Sequence, residues 1–222
     1  MRINKYIASA SPLSRRAADA AILQGRVRIN DRPANAGSQV GDLDVVSLDG
    51  KPLFIDQPAT TIMFHKPVGV VVSREGQGSK TMYDLLPAAY QQLNPVGRLD
   101  KNSSGLLLLT NDGNLANQLT HPRYSKIKIY QIRLNQPLAA LHQQMISDRG
   151  LTLEDGLSKL QLEKLDDQGY AWQVTMREGR NRQIRRTFSA LDYTVTRLHR
   201  TDFGSYHLGD LAKGQCQVVK ST

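Results

Sequence analysis

The sequence predicts an α+β chain built in two parts, and three observations carry that reading. A short N-terminal stretch places its apolar residues first at helical and then at strand spacing. A polar, proline-punctuated segment, Asp56-Gln57-Pro58, follows and reads as a linker. Beyond it, strand-like runs at residues 60–64, 70–73, 106–109, 126–134 and 172–176 are interspersed with two helical patterns. The expected division is residues 1–57 and 58–222.

In the first part, residues 2–8 carry Ile3 and Ile7 on one helical face, and Pro12 breaks the element. Ser14 is placed to cap a second helix, whose packing face is Ala17, Ala18, Ala21 and Ile22. Gly25 stops it. Residues 26–30, R-V-R-I-N, alternate as a strand, and Asp31-Arg32-Pro33 reads as a turn. Val45, Val46 and Leu48 give another short strand, closed by Asp49-Gly50.

In the second part, His65-Lys66-Pro67-Val68-Gly69 separates the strands at 60–64 and 70–73. The stretch V-G-R-L-D-K-N-S-S-G-L-L-L-L-T-N-D-G, residues 96–113, then sets Asp100 on a loop entering a short apolar run read as a buried strand. A rigid scaffold can hold a single carboxylate at a cleft in this way. Residues 114–119 read as a helix. In 126–134, K-I-K-I-Y-Q-I-R-L, strict alternation sends Lys128, Tyr130, Ile132 and Leu134 to one face. Residues 172–176 form a further strand, and a helical pattern runs through 187–191.

Composition narrows the function. Of 222 residues 40% are apolar, which suffices for packed cores and excludes a disordered chain. A net charge of +9 favours a polyanion, with nucleic acid ahead of a membrane surface. The single cysteine, Cys216, forbids an intramolecular disulfide and fits a reducing compartment. No apolar run is long enough to span a membrane, and the N-terminus lacks the apolar core of a secretory signal, so a cytoplasmic protein is expected.

Charge is also unevenly distributed. Residues 1–32 hold seven basic residues against two acids, whereas residues 33–57 hold one against four. Residues 177–200 hold seven arginines against Glu178 and Asp192. Arg185 and Arg186 stand near a helix start, where cations oppose the helix dipole, so they require an anion: RNA phosphate or a carboxylate. The five histidines show no metal-ligand spacing, and Glu154-Asp155 and Asp166-Asp167 read as loop acids. No phosphate-binding or dinucleotide glycine motif is present. These readings leave two classes open, an RNA-acting enzyme and a non-enzymatic RNA-binding or ribosome-assembly protein. A metal-dependent nuclease would need clustered acids.

The N-terminal order N-K-Y-I-A, S-R-R, G-R-V-R-I-N resembles the RNA-binding domain named after ribosomal protein S-four, the alpha-L motif. That resemblance implies a surface for structured RNA made by Arg2, Lys5, Ser14, Arg15, Arg16 and Arg28. Further on, K-P-x-G, G-R-L-D-x-x-S-S-G-L-L-L-L-T-N-D-G, the tyrosine of K-I-Y, and E-G-R-N-R-Q-I-R-R follow in order. This quartet resembles the RsuA and RluB branch of bacterial ribosomal-RNA pseudouridine synthases. E-G-R-N-R-Q-I-R-R and L-T-L-E-D-G look closer to its large-subunit members.

The resemblance implies a mixed, mainly antiparallel sheet with a central cleft. It makes Asp100 the reacting aspartate, Tyr130 the ring that packs on the target uracil, Ile184 the apolar residue on the other side of the base, and Arg185 the partner of the aspartate. Ser103 stands where the family often has threonine and keeps the hydroxyl. Arg98, Lys66, Arg180 and Arg182 are expected to contact RNA. No metal or cofactor is expected, and the protein is expected to act as a monomer on ribosomal RNA.

Overall fold

The computed structural model describes residues 1–55 and 58–219, so Asp56 and Gln57 of the expected linker lie outside the described residues. The chain forms two compact units, Met1–Ala59 and Thr60–Thr222.

The first unit opens with two helices, α1 (Ile3–Ala10) and α2 (Arg15–Leu23). Ile3 and Ile7, one turn apart, are both buried, and they meet Ala18, Ala21 and Ile22 of α2 in a single core. The Ser14 hydroxyl oxygen accepts the Ala17 N–H at 3.1 Å, satisfying one of the free donors at the start of α2. Strands β1 (Val27–Ile29), β2 (Arg32–Pro33), β3 (Val46–Leu48) and β4 (Lys51–Leu53) form an antiparallel sheet in the order β2-β1-β3-β4. The first hairpin turn falls on Asn30 and Asp31, at φ of 48° and 62°, so Arg32 and Pro33 are strand residues rather than turn. Pro33 is tolerated because β2 is an edge.

The second unit contains, in chain order, β5 (Thr61–Lys66), β6 (Asn94–Pro95), β7 (Ser104–Thr110), α3 (Gly113–Thr120), β8 (Lys128–Leu134) and α4 (Ala140–Gln144). There follow β9 (Leu151–Leu153), β10 (Gly156–Ser158), β11 (Gln161–Lys164), β12 (Ala171–Met176), α5 (Gln183–Ser189), β13 (Val195–Phe203), β14 (Tyr206–His207) and β15 (Cys216–Val219). The main sheet runs β11-β12-β8-β13-β7-β5-β15, with β14 on β13 and β6 on β7. Its pairings are antiparallel except β13 with β7.

Strand β7 is buried at every position because both faces are covered. Leu107 and Leu109 join Phe64, Ile132 and Leu198 in one core, while Leu106 and Leu108 join Leu115, Leu119 and Phe203 in another. This explains four leucines in a row where a half-exposed strand would alternate. β8 does alternate: Tyr130, Ile132 and Leu134 are buried, with Gln131 and Arg133 exposed between them.

Two expectations need correction. Residues 70–73 form no strand and make only an isolated bridge from Val71 to Thr81. Pro67 and Gly69, the latter at φ 84°, turn the chain just before them. Conversely, residues 195–200, read as the end of a basic segment, belong to the nine-residue β13. Register shifts between Val195 and Arg197 and between Arg200 and Asp202 break the period of two that a strand normally shows.

Candidate active site

The loop before β7 is fastened from below. Lys66, the last residue of β5, is fully buried, and its ammonium donates to the carbonyls of Pro67 (2.9 Å), Asp100 (3.1 Å) and Ser103 (2.8 Å). The Ser103 N–H also donates to the Asp100 carbonyl at 3.0 Å, closing the turn. Burial brings the Lys66 amine down to about 8, against the opposing attraction of Asp100. Lys66 is therefore not the expected phosphate contact. Its three N–H groups are taken by carbonyls, two of them at the two ends of the turn that carries Asp100.

The Asp100 side chain, 38% exposed, lines a cleft of about 1400 Å³. Tyr130 from β8 and Ile184 from α5 line the same cleft, so three residues separated widely in sequence are brought together. The cation on the carboxylate differs from the expected one. Arg182 Nη1 lies 3.4 Å from Asp100 Oδ2, at the start of α5, with Arg182 itself at φ 47°. Arg185, one turn into the helix, points to backbone: it donates to the carbonyls of Val195 (2.5 Å) and Asn102 (2.8 Å). Burial and the neighbouring Arg182 lower its pKa, while Asp100 opposes that. Arg185 thus braces the Asp100 loop at Asn102 without an ion pair to the carboxylate.

The structure sorts the remaining arginines. Arg180 donates to the Asp155 and Leu157 carbonyls at 2.8 Å each and to the Asp155 carboxylate at 2.9 Å. Arg186 grips the same carboxylate with two bonds. Both tie α5 and its approach to the β9–β10 turn, which removes Arg180 from the expected RNA contacts. Their charge holds the Asp155 carboxyl below the usual range, with the Arg186 hydrogen bonds as the leading cause. Asp166 accepts the Tyr170 and Ala171 N–H groups, so this acid forms a turn. Arg98 is exposed and lines the cleft.

Arg200 is the residue that sequence reasoning misplaced most. Counted only as one of the seven arginines of a basic segment, it is 2% exposed. Its Nε donates to the Leu106 carbonyl at 2.7 Å, and its guanidinium lies 4.8 Å from the Phe203 ring centre and 6.0 Å from that of Tyr130. It forms part of the cleft wall around the aromatic residue. The available signal was its place two residues after Leu198, on the buried alternation of β13.

On the first unit, Arg2, Ser14, Arg15, Arg16 and Arg28 are exposed and Lys5 is half-buried. Arg15 reaches Asn4 at 3.3 Å and Arg28 the Asp31 carbonyl at 2.9 Å, so both guanidinium groups are oriented locally. No group of three His, Cys, Asp or Glu side chains that could hold a metal occurs among the described residues.

Comparison with known proteins adds a second line of argument. The profile of the family described as RNA pseudouridylate synthase matches residues 60–190, and that of the S4 domain matches residues 1–46. The chain is 35% identical to ribosomal large subunit pseudouridine synthase B of Bacillus subtilis, covering 98% of this chain and 91% of that protein. It is 34% identical to ribosomal small subunit pseudouridine synthase A of Pasteurella multocida, over 100% of this chain and 97% of that one. Some relatives are longer: the chain spans 49% of ribosomal large subunit pseudouridine synthase B from Xylella fastidiosa. A crystal structure of a pseudouridylate synthase superposes with a TM-score of 0.71 at 29% identity, covering 99% of this chain and 96% of that one.

Proposed function

The chain belongs to the RNA pseudouridylate synthase family, and from that premise we propose that it isomerises a uridine of large-subunit ribosomal RNA with Asp100 as the reacting carboxylate. The observation that carries this reading is the placement of Asp100, on a loop fastened by Lys66, in one cleft with Tyr130 and Ile184.

The chemistry fits that arrangement. Pseudouridine forms when the N1–C1′ bond breaks, the uracil turns, and C5 bonds to C1′. The bond is unreachable in a stacked helix, so the nucleotide is extracted, at a cost of about a few kcal/mol. Stacking on Tyr130, worth roughly 1–3 kcal/mol, offsets it, and Ile184 closes the other face. A carboxylate promotes the reaction either by attacking carbon (C1′ or C6) or by removing the 2′ proton. The exposed, single 3.4 Å contact with Arg182 gives way at little cost when the sugar arrives. Product and substrate are isomers, so no electrons or atoms need a separate carrier, and no cofactor is invoked.

Residues 1–57 serve as the RNA-binding domain and 58–222 as the catalytic domain, in a cytoplasmic monomer. The large-subunit target rests on the similarity of E-G-R-N-R-Q-I-R-R and L-T-L-E-D-G to large-subunit members. The test offers the protein protein-free large- and small-subunit ribosomal RNA separately and maps new pseudouridines by reverse-transcription stops after carbodiimide labelling. Modification of the large-subunit RNA is expected, with Asp100→Asn reducing it by at least about 10²–10⁴-fold. Near-normal turnover in Asp100→Asn would remove the role of Asp100. New pseudouridine in small-subunit RNA alone would reassign the substrate.

A further inference from the structure

Beside the main cleft lies a second cavity of about 300 Å³. It is walled by the end of α3, the turn Pro122–Tyr124, the approach to β8, and the turn joining β13 to β14. Leu119, Lys126 and Arg177 line both spaces, so the two adjoin. Its size sits at the lower end for sites that hold a small organic group.

Three features give this cavity a chemistry. Lys126 and Arg177 make no salt bridge among the described residues, whereas Arg180, Arg182 and Arg186 on the following stretch are all paired. Tyr124 is 37% exposed, lines the cavity and carries the Arg123 guanidinium 4.5 Å from its ring centre; an exposed ring is a surface on which unpaired bases settle. Tyr206, 6% exposed, has a buried hydroxyl with no hydrogen-bond partner among the described residues. A buried hydroxyl left unpaired is costly, and Tyr206 is one of the residues that line this cavity. The cavity is also narrow: a Cβ on Gly204, at φ 61°, would lie 3.1 Å from Leu119 Cδ2.

We propose that this cavity seats one further nucleotide of the same RNA strand, adjacent or nearly so to the extracted uridine. Its phosphate lies between Lys126 and Arg177, and its base lies against the Tyr124 ring with an edge toward the Tyr206 hydroxyl. The proposal rests on the reading that the main cleft holds a uridine of RNA. It gives the enzyme a second point of selection, since uridine alone does not distinguish one loop from another.

The test uses the full chain and a synthetic ribosomal stem-loop carrying the mapped uridine. Single abasic nucleotides are placed at each of two positions on either side of it. One abasic position should weaken wild-type binding by about tenfold or more. Gln118→Trp, from the exposed face of α3, fills the cavity mouth. It should weaken binding of the intact RNA and add little further loss at that same position, the non-additivity expected of a shared contact. Arg177→Gln, a surface change that leaves packing untouched, should make the salt dependence of binding shallower by close to one phosphate contact. If abasic losses are additive with Gln118→Trp at every position, or if Arg177→Gln leaves affinity and salt slope unchanged, the subsite is refuted while uridine conversion continues. If wild-type protein converts no uridine in either ribosomal RNA, the isomerase reading falls and this proposal falls with it.

Discussion

Lys66 shows how a single buried charge can hold a cleft-lining carboxylate by binding only the backbone around it. Two of its N–H bonds reach the carbonyls of Asp100 and Ser103 at the two ends of the Asp100 turn, and the third reaches Pro67 beside it. Lys66→Met would leave those carbonyls without their charged donor, and urea denaturation should show a loss of about 2–4 kcal/mol. The pH behaviour follows from the amine lying at about 8 instead of 10.5. Between those values the unfolded chain binds a proton that the folded one does not, so this group's contribution to stability rises with pH there. A neutral amine, however, offers two N–H groups to three carbonyls, and the Asp100 turn loosens. Turnover should therefore fall as pH rises through about 8 while melting temperature does not fall with it. A pH profile flat to 10 would show that the turn holds without the third bond. The stacking role proposed for Tyr130 needs the ring and not the hydroxyl: Tyr130→Ala should weaken RNA binding roughly 5–150-fold and Tyr130→Phe hardly at all, as filter binding would measure. Equal losses would place the hydroxyl in the contact. Asp100, Tyr130 and Ile184 were legible as a set because their motifs are local in sequence. The roles of Lys66, Arg180, Arg182, Arg185 and Arg200 were not. A cation in a sequence gives its charge, but whether it meets solvent, a carboxylate or a carbonyl is decided by elements far along the chain.

Among the elements, the join of β7 to β13 sets the cleft's geometry. It is the parallel pairing of the sheet, registered only at His199 with Ser104 and Arg200 with Gly105. Gly105 sits at φ 108°, and a Cβ there would lie 2.1 Å from the Arg200 carbonyl oxygen and 2.6 Å from its nitrogen. Only glycine allows β13 to approach so closely that the Arg200 Nε can reach the Leu106 carbonyl. Gly105→Ala must push the strands apart or strain its own backbone, and it should destabilise the second unit by more than about 3 kcal/mol. Thermal unfolding of the variant checks this, and a change in melting temperature of only a degree or two would mean the gap can widen freely. The apolar run of β7 and the alternation of β8 were readable because burial on two faces, or on one, leaves a distinct pattern. β13 was hidden because its bulges interrupt the period and a buried arginine occupies a core position. The short edges β2, β4 and β6 offer two or three residues each, too few for any periodicity.

For the whole molecule, the separation of cores decides what can be removed. The core of the first unit draws on residues 3–53, and the two cores of the second on residues 62–219, with no residue shared. The sequence reading placed its boundary at the linker-like Asp56-Gln57-Pro58, while the basic surplus of residues 1–32 lies wholly within the first unit. A chain lacking residues 1–57 should therefore unfold cooperatively on its own. It should also bind structured ribosomal RNA more weakly and with less salt dependence. Arg2, Arg15, Arg16 and Arg28 are exposed, and every phosphate they would neutralise adds about 0.9 to the slope of log affinity against log salt on duplex RNA, taking the duplex DNA value as a guide. Truncation should take that share of the slope away. Isothermal titration of both forms across a salt series separates two effects that a single affinity would merge. Equal affinities with equal slopes would show that the first unit does not anchor RNA. A weaker affinity with an unchanged slope would mean that its contribution is hydrogen bonding or shape rather than phosphate charge, since counterion release is the only one of these that salt weakens in proportion to the phosphates neutralised.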